Sequence, residues 1–202
     1  MHNELTGFGD SAIATLQANV SIPETMGIDG YYHVECRDAN GNLKWEEEFP
    51  NLVVAVGKQL MLDTLLRTSG TYTTVGPFLG LTNATLTPAA TDTMTTLVGG
   101  SKEFTNYTFS GSAVRGTLVF TASTSSGATP SNVTTATASA LTYTITGAGG
   151  TVYGCFLVTG SGAVNTQSST AGTLYSEGNF SVAKTTTAGD TVSVTYSTTA
   201  TS

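Results

Sequence analysis

Residues 140–146 read ALTYTIT and residues 190–197 read DTVSVTYS. In the first, Leu141, Tyr143 and Ile145 alternate with Thr142 and Thr144; in the second, Val192, Val194 and Tyr196 alternate with Ser193 and Thr195. A period of two is that of a strand with one face in a core and the other in water. Threonine and serine suit the wet face, where a small or β-branched hydroxyl side chain tolerates the pleat without charge. Outward from these runs, EFTNYTF (103–109), VRGTLVFTAS (114–123), VYGCFLVTG (152–160) and GNFSVAKT (178–185) follow at short intervals as further strand-like runs. Gly147 to Gly150, Gly160-Ser161-Gly162 and Ala188-Gly189-Asp190 read as turns between them. Short strands at this spacing predict an all-β chain, an antiparallel β-sandwich or jelly-roll-like domain. Upstream, YYHVECRD (31–38) and LKWEEEF (43–49) are joined by Ala39-Asn40-Gly41-Asn42, and Asn-Gly between two strand-like runs signals a hairpin.

One stretch breaks the pattern: FPNLVVAVGKQLMLDTLL, Phe49 to Leu66. Lys58 and Asp63 interrupt it, whereas a membrane span needs about 20 apolar residues without a break. Val56, Leu60, Leu62, Leu65 and Leu66 recur at helical spacing, with Lys58, Gln59, Asp63 and Arg67 on the polar side. A helix over about 52–67 follows, with Pro50 and Asn51 as start signals and Gly70 past its end. Gly57 costs such a helix roughly 1 kcal/mol relative to alanine, so it depends on packing. The expectation is a helix that buries its leucines and closes one end of the β core; the alternative is a helix that binds a partner.

The domain plan is thus an N-terminal arm over 1–28 and a β-rich domain over 29–202, with hairpin 31–49, the helix, and a sandwich over 76–200. Residues 82–96 are expected to form a loop too polar and irregular for the core. In the arm, Phe8, Ile13, Leu16, Val20 and Ile22 follow no helical or strand period. They are too sparse for a core and too apolar for a free linker, which makes them the candidate subunit interface. The alternative is that the arm packs on its own domain as one more strand. No repeat of 20 to 50 residues, no collagen-like triplet and no heptad pattern occurs.

A length of 202 residues suits one domain with an appendage. The net charge of -7, from 14 acidic and 7 basic residues, argues against a nucleic-acid partner, whose phosphates need Lys and Arg. Between 104 and 202 the charged residues are Arg115, Glu177, Lys184 and Asp190 alone. Cys36 and Cys155 are expected as small buried residues in a reducing cytosol, and the N-terminus lacks the basic and apolar regions of a secretory signal. His33, inside a strand, reads as a surface or inter-subunit residue. Glu46 and Glu48 share one strand face and Glu47 the other, as on a solvated edge. The DANGN run (38–42) lacks the sixth-position glycine and terminal glutamate of a calcium loop. No nucleophile elbow, phosphate-binding loop or metal-ligand cluster is evident. The expectation is a non-enzyme with no catalytic residues, cofactor or metal, and with neither nucleic acid nor membrane as partner.

The order of Trp45 with its following acids, Asn51-Leu52-Val53, a glycine, Leu60-Met61-Leu62-Asp63, Phe78-Leu79-Gly80-Leu81, Asp92-Thr93-Met94 and Glu103 before Tyr107 resembles small virion proteins of tailed bacteriophages. In outline it is similar to those that decorate or cement the head shell. The likeness covers roughly residues 30–110, and residues 188–196 are similar to the last strand pair of many phage β domains. The resemblance implies a β-rich structural protein present in many copies, often a homotrimer. Its partner would be the major capsid protein, on the outer surface of the capsid of a virion assembled in the host cytoplasm. It carries over no functional residues. The alternative is a tail-fibre or receptor-binding module whose Thr/Ser/Asn loops contact host-surface glycans.

Overall fold

The computed structural model describes residues 27–67, 75–123, 131–133 and 140–201; the interface candidates Phe8, Ile13, Leu16, Val20 and Ile22 lie outside them. The described chain is an antiparallel β-sandwich. Its first sheet runs in the order β2 (Leu43–Pro50), β1 (Gly27–Arg37), β12 (Thr191–Thr201), β9 (Leu141–Ile145), β6 (Tyr107–Phe109), with β8 (Ser131–Val133) also on β12. The second runs β3 (Leu52–Val53), β11 (Thr173–Thr186), β10 (Gly150–Thr159), β4 (Phe78–Thr82), β5 (Glu103–Phe104), with β7 (Gly116–Thr117) on β4.

The alternating runs do what their period requires. Tyr32, Val34 and Cys36 of β1, Leu141, Tyr143 and Ile145 of β9, and Val192, Val194 and Tyr196 of β12 are buried and face Leu79, Leu81, Cys155 and Leu157 of the second sheet. The two cysteines are free thiols inside this core, and burial pushes the Cys36 thiol up to about 12. Tyr143 is held at both ends of its reach. Its ring packs on Tyr107, and its hydroxyl donates to the Leu79 carbonyl at 2.6 Å.

The hairpin belongs to the sandwich and is no separate unit. β1 pairs along its whole length with β12, from Gly27 opposite Thr201 to Arg37 opposite Thr191. Residues 27 and 28 therefore belong to the first sheet, which corrects the expected arm boundary. At the turn, Asp38 is occupied by the loop itself, its carboxylate accepting from the Asn40 and Asn42 amides at 2.8 and 2.9 Å. Gly41, at φ +86°, adopts the left-handed conformation that favours glycine. His33 bonds Glu46 at 2.7 Å on the outer face, and Glu47 turns the other way to Lys184, also at 2.7 Å.

The second sheet is covered on both faces. Phe156, Val158 and Leu174 point away from the inter-sheet core into a further apolar cluster with Val54, Leu86, Met94, Leu97, Val98 and Ala163. The expected polar loop after β4 thus contributes a buried layer. It also holds α2 (Met94–Leu97), a second helix in a chain expected to have a single one. Reciprocal bonds between Thr93 and Thr96 cap this turn, and burial of Met94 and Leu97 anchors it.

Candidate functional site

Helix α1 spans Ala55–Leu66, starting after β3 rather than at about residue 52. Val54 precedes it and offers no side-chain cap, so the first turn takes its support from elsewhere: the Ala55 N–H donates to the Ala90 carbonyl at 2.8 Å. Gly57 sets the seat. It is the one buried residue of the helix, and a Cβ there would lie 2.6 Å from the Tyr175 carbonyl oxygen of β11. Only glycine lets the helix backbone come this close to the sheet.

That approach fixes which side faces out, and it overturns the expectation that α1 buries its leucines. Val56 packs on the outer apolar cluster and Leu60 lies near Gly160, but Met61, Leu62, Leu65 and Leu66 are 36, 49, 81 and 69% exposed. The helix lies on the outside of the second sheet and does not close the end of the sandwich. That end is an open cleft of about 380 Å³ between the sheets, lined by Pro77, Phe120, Leu157, Tyr175, Tyr196 and Thr198. Tyr175 joins the two features, its hydroxyl lying 3.5 Å from Met61 Sδ. Helix and cleft are thus neighbours through Tyr175 and Met61, and exposed apolar area of this kind marks an interaction site.

At the other end of β10 lies a shallow polar groove of about 470 Å³ lined by Asn83, Thr105, Asn106, Thr151, Tyr153 and neighbours. The amide nitrogens of Asn83 and Asn106 already hold the rim, donating to the Glu103 and Gly149 carbonyls at 3.0 and 2.8 Å.

Two buried polar constellations secure the outer layer, and the sequence reading singled out neither. Arg115 and Glu103 form a bidentate pair with no meaningful exposure, Nε to Oε1 at 2.8 Å and Nη2 to Oε2 at 2.7 Å. The Ser168 amide donates to Glu103 Oε2, Arg115 Nη2 donates to the Ser169 carbonyl, and the guanidinium sits 5.2 Å from the Phe156 ring centre. This network ties the segment after β10 to the sheet. The second constellation is Glu177 of β11 with Asp92. Glu177 is 1% exposed, and both carboxyl groups line the same small space. Burial, then the bond to Asp92 and its charge, push Glu177 up to about 8. Burial also acts on Asp92, but bonds from Glu177, the Ala89 amide and Thr96 outweigh it and hold that carboxyl below its usual range. The signal was present in the composition. Of the four charged residues after position 103, Arg115, Glu177 and Asp190 are buried, so charge in that half is structural.

Among the described residues no group of three or more His, Cys, Asp or Glu is placed to hold a metal ion, and no helix is long and apolar enough to cross a membrane. Compared with family models, curated proteins and solved structures, the chain shows no match to any of them.

Proposed function

We propose that this chain is a structural protein of a tailed-bacteriophage virion, a decoration or cement protein that binds the outside of the capsid shell as a homotrimer contacting the major capsid protein. The observation that carries the reading is the outward apolar side of α1. Four large apolar side chains stand exposed on a helix seated firmly by Gly57, next to an apolar cleft, in a sandwich whose remaining apolar residues are largely packed. A rigid apolar surface is what subunit contacts use. The acidic balance of -7 favours the shell exterior over the side that faces packaged DNA. Closed cyclic symmetry is the usual arrangement of identical subunits, and a trimer suits the threefold positions of an icosahedral shell.

The test is Leu65→Asp. The variant is expected to fold normally and to lose binding to phage particles, with labelled protein located by microscopy on heads that bind the parent chain. Full particle binding by the variant, or a monomer mass by light scattering both free and on the particle, refutes the reading. A second reading, a tail module that binds host-surface glycans, is favoured by the polar groove at Asn83, Asn106 and Tyr153. Label on tails rather than heads selects it.

A further inference from the structure

We propose that one proton shared between Asp92 and Glu177 latches residues 83–100 onto the second sheet and thereby holds the start of α1 in place, and that lifting this segment releases the proton to solvent. Glu177 projects from the outer face of β11 beneath the segment, into a narrow space of about 40 Å³ lined by Leu86, Thr87, Asp92, Thr96, Leu97 and Lys102. Such a space has room for about one water molecule. Asp92 is the better-satisfied partner: the Ala89 N–H donates to Oδ2 at 2.8 Å, and Thr96 Oγ1 lies 3.3 Å from Oδ1. No donor reaches Glu177 Oε1. Ionising Glu177, itself buried, would therefore set a second negative charge against Asp92, and the pair keeps one proton between them.

The charged groups facing Glu177 are Asp92, from the covering segment, and Lys102, which follows α2. Its strand neighbours β10 and β3 oppose it with Phe156 and Leu52. Lys102 balances one carboxylate and leaves the second without a counter-charge.

The same segment carries Ala90, whose carbonyl receives the first amide of α1, and Leu86, whose amide and carbonyl are both bound by the Asn179 side chain. When the carboxyl pair separates, these bonds are the ones loosened next. Because the freed Glu177 has an ordinary carboxyl affinity, opening becomes easier as pH rises from about 4.5 toward 8 and levels off above. The consequence for docking rests on the function proposed above; the latch does not.

Hydrogen exchange, corrected for the intrinsic chemical rate, tests it on the whole chain. The amides of Leu86, Leu97 and Val98 are expected to lose protection by up to about tenfold per pH unit between pH 5 and 8. They should also remain less protected than Val194 in the inter-sheet core. In Glu177→Gln, whose amide donates to Asp92 at any pH, the dependence should vanish; Asp92→Asn, which removes the opposing charge and donates to Glu177, should narrow the pH window but leave the part that burial causes. Three results overturn the proposal: an unchanged slope in both variants, protection in the segment equal to that of Val194, or restored protection on adding calcium at pH 8, which would make the pair a cation site. If Leu65→Asp still binds particles while the exchange slope is as expected, the docking role falls and the latch stands.

Discussion

The outward face of the first sheet carries Tyr31, His33, Thr142 and Thr144 into water, whereas the outward face of the second carries Phe156, Val158 and Leu174 beneath another apolar layer. The same backbone architecture thus serves two purposes. On the first sheet one face makes the core and the other is finished surface. The second sheet is a core on both faces, and it supports α1 above it. Gly80 shows how tightly this side is built: Phe156 lies so close over it that a Cβ would overlap the ring, and Arg115 sits beside the same ring. The difference teaches that buried charge on the second sheet gathers where an irregular segment has to be fastened to it.

The strongest way to break that arrangement is Arg115→Met, which strands Glu103 inside the protein. Removing one member of a buried pair costs about 3–5 kcal/mol. Denaturant melts should show a loss of this size; a change under about 1 kcal/mol would mean that the carboxylate reaches water. Next come Leu174→Ala in the outer layer and Leu79→Ala between the sheets, both 0% exposed. If the two layers are equally core, each costs about 2–5 kcal/mol. A far smaller loss for Leu174 would show that the outer layer collapses around the cavity or is loosely attached.

The pH dependence sharpens the contrast further. Glu177 has a folded-state affinity raised to about 8 from an ordinary value of 4.5. Below 4.5 both folded and unfolded chains hold its proton and its stabilisation is fully present; between the two values only the folded chain does. Its contribution therefore declines by about 1.4 kcal/mol per pH unit across that window and flattens above it. Comparing the parent chain with Glu177→Gln by urea midpoints at pH 5 and pH 8 isolates this slope, which the variant should lack. The smallest effect expected is that of Leu65→Asp on stability, within about 0.5 kcal/mol, since the side chain is 81% exposed. A larger destabilisation would place Leu65 against another part of the fold.

What the sequence revealed follows the same division. Strands β9 and β12, the hairpin turn at Asp38 to Asn42, and the alternation of Glu46, Glu47 and Glu48 were legible because a wet face imposes a period of two. Strand β10 reads as a continuous apolar run, since both of its faces are covered. Leu86, Met94, Leu97 and Val98 were missed because their spacing among Thr, Ala and Pro has no period; they are placed by long-range packing alone. In α1 the apolar residues occur around most of the helix, so spacing could not choose its inner side. The contact of Gly57 with Tyr175, distant in sequence, makes that choice. The candidate docking surface was therefore visible as a helix and invisible as a surface.

Among the described residues strand β2 forms an outer edge of the first sheet, with LKWEEEF along it. An edge offers unpaired backbone groups to any identical edge it meets. Two copies meeting there antiparallel about Glu47 would set Glu47 against Glu47 and Glu46 against Glu48. Like charges directly opposed across strands disfavour such pairing. The acidic run thus works as a guard against edge-to-edge fibre growth.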